Sequence, residues 1–228
     1  EPDRAIAVID AGTGVGKSLG ACVPAIAAAL ERKARVLIST ATVNLQEQLI
    51  HKDLPRFRDL MGKDFKIALA KGRSRYVCTV KLARMAGEAS AGEDDFFADD
   101  APVNAASASE HQVAMYRDLG KQLRAGKWDG ERDSLEVDAD TLRWPSIGAD
   151  HHTCTGKRCP ERQGCSFFEA RKRVAEADVI VVNHDLLLAS LQGGVLPAVE
   201  ESLLIIDEAH ELAEVASGQF TYSLDLSS

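Results

Sequence analysis

No stretch of the 228 residues approaches the ~20 consecutive apolar side chains needed to span a bilayer, so no membrane-spanning helix is expected. The first residues, Glu1-Pro2-Asp3-Arg4, lack the pattern of a secretory signal, which makes the cytoplasm the expected compartment. Basic side chains are in deficit: Lys and Arg total 27 against 35 Asp and Glu, a formal net charge of −8. That excludes a globally basic coat for nucleic acid, though not a local basic patch. Internal repeats and long low-complexity tracts are absent, which sets aside repeat architectures. The chain also opens without an initiator Met, a few residues ahead of a strand-like run, and is expected to be part of a longer protein.

What is present is ordinary for a folded chain: 45% hydrophobic and 27% charged residues, in a length between one and two average domains. Such a chain buries a core without disulfides. Five cysteines stand at 22, 78, 154, 159 and 165. In a cytoplasmic protein they rarely pair, and the last three fall within a dozen residues, which points to a metal or cluster site.

The periodicity alternates between strand and helix. Ala5 to Asp10 reads as a strand, followed by a Gly-rich turn over Ala11 to Ser18. Lys17 to Arg32 reads as a helix with a kink expected at Pro24. Arg35 to Ser39 predicts a strand, Val43 to His51 a helix, and Lys66 to Leu69 a third strand. Strand-like runs return at Asp178 to Val182 and Ser202 to Asp207. This is the pattern of a parallel α/β sheet. Between roughly 71 and 174 the pattern changes to a mostly helical insertion, with helices predicted over Ser107 to Ala125 and Cys165 to Ala177. An acidic stretch, Glu88 to Asp100, predicts an exposed loop.

Two motifs carry phosphate chemistry. Ala11-Gly12-Thr13-Gly14-Val15-Gly16-Lys17-Ser18 matches a P-loop, with Ala in place of the first Gly. The glycines let backbone N–H groups face phosphate oxygens, and the following helix adds its positive end. Lys17 is suited to the β- and γ-phosphates of ATP and Ser18 to Mg²⁺. Leu203 to His210 is an apolar strand ending in Asp207-Glu208-Ala209-His210. This puts carboxylates at the carboxyl edge of the sheet. Asp207 is placed to hold Mg²⁺ and Glu208 to orient the attacking water. Read alone, the Asp-Glu pair is equally an ordinary acidic helix start.

Cys78, Cys154, Cys159 and Cys165 are four soft donors with one outlier. From spacing alone, a [4Fe–4S] cluster and zinc are alternatives, the latter with His151 or His152 as further donors. Unligated buried cysteines are the bland reading, and Cys22 belongs to the core. Around the cysteines lie Lys71, Arg73, Arg75, Lys81 and Arg84 with no acid among them, then Lys157, Arg158, Arg162, Arg171, Lys172 and Arg173. Such a surround suits a phosphate backbone, with Tyr76 as a stacking ring. For Arg171 to Arg173 a merely solvated helix face is as good a reading.

Taken together, AGTGVGKS (11–18), STATVNLQEQL (39–49), GRSRYVC (72–78), KWDG (127–130), the cysteine trio, VVNH (181–184) and DEAH (207–210) resemble the iron–sulfur superfamily 2 DNA helicases of the DinG/XPD type, on the bacterial DinG side. The resemblance covers nearly the whole chain. It implies a RecA-like P-loop NTPase fold, with motor domain 1 split over residues 1–70 and 175–228 around a cluster domain at 71–174. It implies ATP-driven 5′-to-3′ translocation on single-stranded DNA and unwinding at duplex junctions, in replication or repair. It also favours a [4Fe–4S] cluster over zinc and gives His210 a role in coupling hydrolysis to a second motor domain. Thr40, Thr42, Asn44 and Gln46 are implied to touch the DNA backbone, and Arg75 and Tyr76 to line the strand's path. Helix capping by Thr42 is the alternative for that stretch.

The sequence departs from that family in lacking a second motor domain, its arginine finger, the arch insertion and the adenine-reading segment. An arginine finger is worth ~10³–10⁵ in rate, so the chain by itself is expected to hydrolyse ATP poorly. A monomer is the expectation. Two other readings compete: a P-loop switch that recruits a partner through a zinc insertion, and a nucleic-acid module with a relict P-loop. The intact Lys17, Ser18, Asp207 and Glu208 oppose the second.

Overall fold

In a computed structural model, the chain is described over residues 5–12, 16–88, 109–135, 137, 141–193, 196–197, 199–219 and 221. It divides into two compact units, residues 1–70 with 174–228, and residues 71–173. The described residues contain no helix long and apolar enough to cross a membrane.

The first unit is a parallel sheet with helices on both faces. Its strands are β1 (Arg35–Thr40), β2 (Ile67–Leu69), β3 (Val179–Asn183) and β4 (Ser202–Ile206), in the order β2-β3-β1-β4. β1 and β3 are central and nearly continuous in buried apolar residues, as parallel strands covered on both faces must be. The two-residue period sorts them. Val36, Ile38, Val179 and Val181 face a core with Cys22 and Ile26 of α1 (Lys17–Arg32) and Phe57 of α3 (Leu54–Met61). Leu37, Ile180 and Val182 face the opposite core with Leu186 and Leu187 of α7 (His184–Gly193).

Local signals set the helices. Thr42 caps α2 (Val43–Gln48), its hydroxyl accepting from the Leu45 N–H at 3.3 Å. Helical backbone then continues through a wider π turn, Leu49–Asp53, into α3. Pro55, which has no N–H to give, stands just past that turn. α1 runs through Pro24 without ending.

One expected strand does not form. Ala5 to Asp10 makes no ladder, and Ile6, Val8 and Ile9 are 90%, 92% and 71% exposed. An apolar run of strand length specifies a strand only where a neighbour's backbone groups meet it, and among the described residues no strand pairs with this run. Edge strand β4 likewise leaves Leu204 40% exposed.

The second unit packs α4 (Thr79–Met85) against α5 (Glu110–Arg124), whose Ser109 and Gln112 form a reciprocal capping box. Its core gathers Val77, Leu82, Tyr116, Leu119, Leu142 and Ile147 around Trp128 and Trp144. Both indoles are satisfied: Trp128 donates to the Glu131 carbonyl at 2.9 Å and Trp144 to that of Ser74 at 2.7 Å. A smaller cluster joins Tyr76 to Phe167 and Ala170 of α6 (Ser166–Glu176). The rest is a succession of short 3₁₀ turns. Of the acidic stretch only Glu88 is described; residues 89–100 lie outside the described residues.

Candidate nucleotide and nucleic-acid sites

In the first unit, β4 delivers Asp207 and Glu208 to the carboxyl edge of the sheet, beside the start of α1. The Asp207 N–H donates to the Ser39 carbonyl at 2.8 Å, which holds the turn against β1. Glu208 sits at φ 53°, a left-handed conformation uncommon for a residue with a side chain. That backbone supports a side chain that reaches Lys17: Lys17 Nζ donates to Glu208 Oε1 at 3.0 Å. The hydrogen bond holds the Glu208 carboxyl below its ordinary range and raises Lys17 above its own. His210 Nδ1 lies 3.5 Å from Glu208 Oε2, with its ring mostly exposed.

Gly16 ends the Gly-rich loop at φ 84°, a conformation natural only to glycine. A Cβ built on Gly12 or Gly16 would meet nothing within 4 Å among the described residues. Ala11 is half-buried, Gly12 exposed, and Ser18 half-buried in that turn. Thr13, Gly14 and Val15, also expected to face phosphate, lie outside the described residues. The Lys17 and Glu208 charges and the N-terminal end of α1 suit a polyphosphate with its divalent cation.

Sequence reasoning assigned no role to Ser39 or to His184, though both stand in motifs it singled out. Ser39 Oγ and His184 Nδ1 share a hydrogen bond of 2.7 Å and both residues are fully buried. The available signal was a polar residue near the carboxyl end of one apolar strand and another just past the end of a second. The expected DNA-contacting quartet splits. Thr42 and Asn44 are exposed, whereas Thr40 and Gln46 are buried and offer no side chain to a ligand. Thr40 donates to the Thr42 carbonyl, and Gln46 packs inward from α2.

In the second unit the basic segment is balanced by distant acids. Lys71 is buried and pairs with Glu131 and, at 3.0 Å, with Asp133; Arg75 reaches Asp133 at 3.4 Å; Lys81 meets Asp150 at 2.5 Å. The apparent lack of compensation between Lys71 and Arg84 is therefore corrected by the tertiary structure. Tyr76, expected beside a strand's path, is buried against Phe167, ring centroids 5.8 Å apart. Burial, reinforced by Glu131, pushes its hydroxyl up to about 12.

All five cysteines are unpaired. Cys78 stands at the N-cap of α4, while Cys159 and Cys165 each close a short turn. Burial raises the Cys78 thiol against the pull of the Lys81 and Val80 N–H groups, and Cys159 lies close enough to raise it further. The four soft donors share one unit and suit an iron–sulfur cluster chemically. Among the described residues, however, no three His, Cys, Asp or Glu side chains converge to hold a metal ion. His151 and His152 are exposed and lie against each other. Cys22 is core, as expected, its thiol pushed by burial up to about 12.

The DEAD_2 family model matches residues 152–228. A Photobacterium profundum protein named ATP-dependent DNA helicase DinG is 40% identical over 210 residues, 91% of this chain and 29% of that protein. Proteins of the same name from Salmonella choleraesuis and Escherichia coli are 37% and 35% identical, each over 96% of this chain and 30% of their own length. The chain thus spans about three tenths of the length of the curated relatives it matches. Over most of its length, the chain is a homologue of the DinG helicases.

Proposed function

We propose that this chain is the ATP-binding part of a DNA helicase that translocates 5′ to 3′ on single-stranded DNA and opens duplex at junctions. The observation that carries the reading is the ion pair between Lys17 and Glu208, which joins the Gly-rich loop to the Asp-Glu-Ala-His segment at one sheet edge. ATP enters with its phosphates over the Gly-rich loop, where Gly12, Gly16 and the α1 dipole would face the charge. Lys17 exchanges Glu208 for the terminal phosphates. Ser18 and Asp207 would hold Mg²⁺, which would neutralise phosphate charge there, and the freed Glu208 orients the attacking water. His210, in contact with Glu208, passes the state of the nucleotide to a second motor domain.

In this reading the first unit is motor domain 1 and the second the inserted domain. Thr42 and Asn44, the exposed pair of the quartet, contact the DNA backbone, and Arg75 flanks the strand. A [4Fe–4S] cluster on Cys78, Cys154, Cys159 and Cys165 belongs to the proposal on donor chemistry. When bound it cross-links the turns of the second unit, and no step of hydrolysis passes through it. The protein works as a cytoplasmic monomer.

The test uses the intact protein, purified without oxygen. ATP turnover is measured with and without an oligothymidylate, and unwinding is measured on duplexes with a 5′ or a 3′ overhang. DNA-stimulated turnover, unwinding from the 5′ overhang alone, and loss of both in Lys17→Ala are the expected results. Turnover indifferent to DNA, with zinc and no acid-labile sulfide, would favour a P-loop switch and overturn the helicase reading.

A further inference from the structure

In the second unit Lys71, Arg75 and Lys81 have found acids. Among the described residues Arg73 and Arg171 have none. Arg73 lays its guanidinium over the Phe167 ring, 4.7 Å from the centroid. Arg171 lies four residues after Phe167 on α6, hence on the same helix face. Its Nη1 is enclosed by protein and has no hydrogen-bond partner among the described residues. Burial and the positive charge of Arg73 both act against the Arg171 cation, and no carboxylate is among the groups that act on it. Two like charges held together with a buried donor unmet are costly. An anion that reaches the half-exposed parts of the two side chains relieves the repulsion, and the guanidinium N–H groups outside the enclosure suit phosphate oxygens.

We propose that Arg73 and Arg171 form a two-point clamp for the phosphodiester backbone of a single strand, with Phe167 as the floor that aligns the first guanidinium. The clamp rests on the reading of the protein as a DNA motor, and adds to it a binding site distinct from the expected Arg75 and Tyr76. Those two are engaged with Asp133 and Phe167. A repeating polyanion is favoured over a single phosphate because the arrangement recurs: Arg162 lies 4.5 Å over the neighbouring Phe168 ring. Guanidinium groups thus sit on successive aromatics at the start of α6.

The test is the salt dependence of oligothymidylate binding by the intact protein. Each phosphate contact on a single strand contributes a slope of about 0.7 in log K against log salt. The Arg73→Gln, Arg171→Gln double variant is expected to lose about 1.4 of that slope. Lys172→Gln, which removes an exposed charge next along the helix, is expected to keep it. Arg171→Lys retains the charge but not the fork, and should keep the slope while binding several-fold more weakly. Without DNA, Arg171→Gln is expected to melt no lower than the parent, since it relieves repulsion. A double variant with the parental slope would overturn the clamp while leaving the helicase reading intact. So would equal loss in Lys172→Gln. Displacement of the strand by inorganic phosphate at matched ionic strength would reassign the pair to a free anion. A parent that fails to bind oligothymidylate at all would bring down the helicase reading itself.

Discussion

Lys17 Nζ stands 3.0 Å from Glu208 Oε1, across 191 residues of sequence. The loop lysine is therefore neutralised by the carboxylate proposed to orient water, and nucleotide must take Glu208's place. Glu208→Gln removes the competing charge and the base together. It is expected to bind ATP at least as tightly as the parent while turnover falls by roughly 10²–10⁴. Lys17→Ala should lose binding itself. Equilibrium titration of a fluorescent ATP analogue beside steady-state turnover separates the two, and parallel losses in both variants would contradict the exchange.

Asp150 gives the second unit an acid limit. Burial alone would raise its carboxyl, but hydrogen bonds from Lys81 and Thr153 outweigh that and hold it well below the usual carboxylate range. A carboxyl depressed in the folded state stabilises at pH above its unfolded value, about 3.9. That contribution is lost as pH falls through the lower folded value. Because the pair is about one-third exposed on the Asp150 side, Asp150→Asn is expected to cost only about 1–2 kcal/mol at neutral pH. Melting followed from pH 7 downward should show the gap between parent and variant closing in acid.

Gly130, the last residue of the KWDG stretch, packs where no side chain fits. A Cβ there would stand 1.9 Å from Ser166 Oγ and 3.1 Å from Val77, at φ 81°. Its carbonyl accepts from the Val77 N–H at 2.8 Å, so the backbone cannot retreat freely. Gly130→Ala is expected to destabilise the unit by about 3 kcal/mol, from overpacking and the unfavourable φ together. Gly130→Ala, Ser166→Gly should recover part of it, as read by denaturant midpoint. No recovery would assign the cost to backbone conformation alone.

Ser39 and His184 tie the carboxyl ends of β1 and β3 through a buried hydrogen bond. Ser39→Ala leaves the His184 Nδ1 unmet and is expected to cost about 1–3 kcal/mol. Because both residues serve one bond, Ser39→Ala and His184→Ala should be less destabilising together than their separate costs add up to. Strict additivity in a double-mutant cycle would mean that the bond contributes nothing.

The residues show why some features were readable and others not. β1, β2, β3 and β4 lie within a residue of the runs that announced them, because a buried parallel strand must be apolar over a short continuous length. Thr42 was readable as a cap, because capping involves partners three residues apart. Ala5 to Asp10 has the same local signal, yet no neighbour completes it.

Sequence by itself thus determined the alternation of strand and helix, the parallel α/β class and the presence of both phosphate motifs, since these rest on period, caps and short spacing. Tertiary structure alone decided which charges meet. Lys71 finds Asp133 and Lys81 finds Asp150 across 62 and 69 residues, which turns a seemingly free basic run into a largely neutralised one. The same long-range packing buried Thr40, Gln46 and Tyr76 and left Arg73 beside Arg171. Ion pairing and burial depend on distance through space, and a linear pattern encodes distance only along the chain.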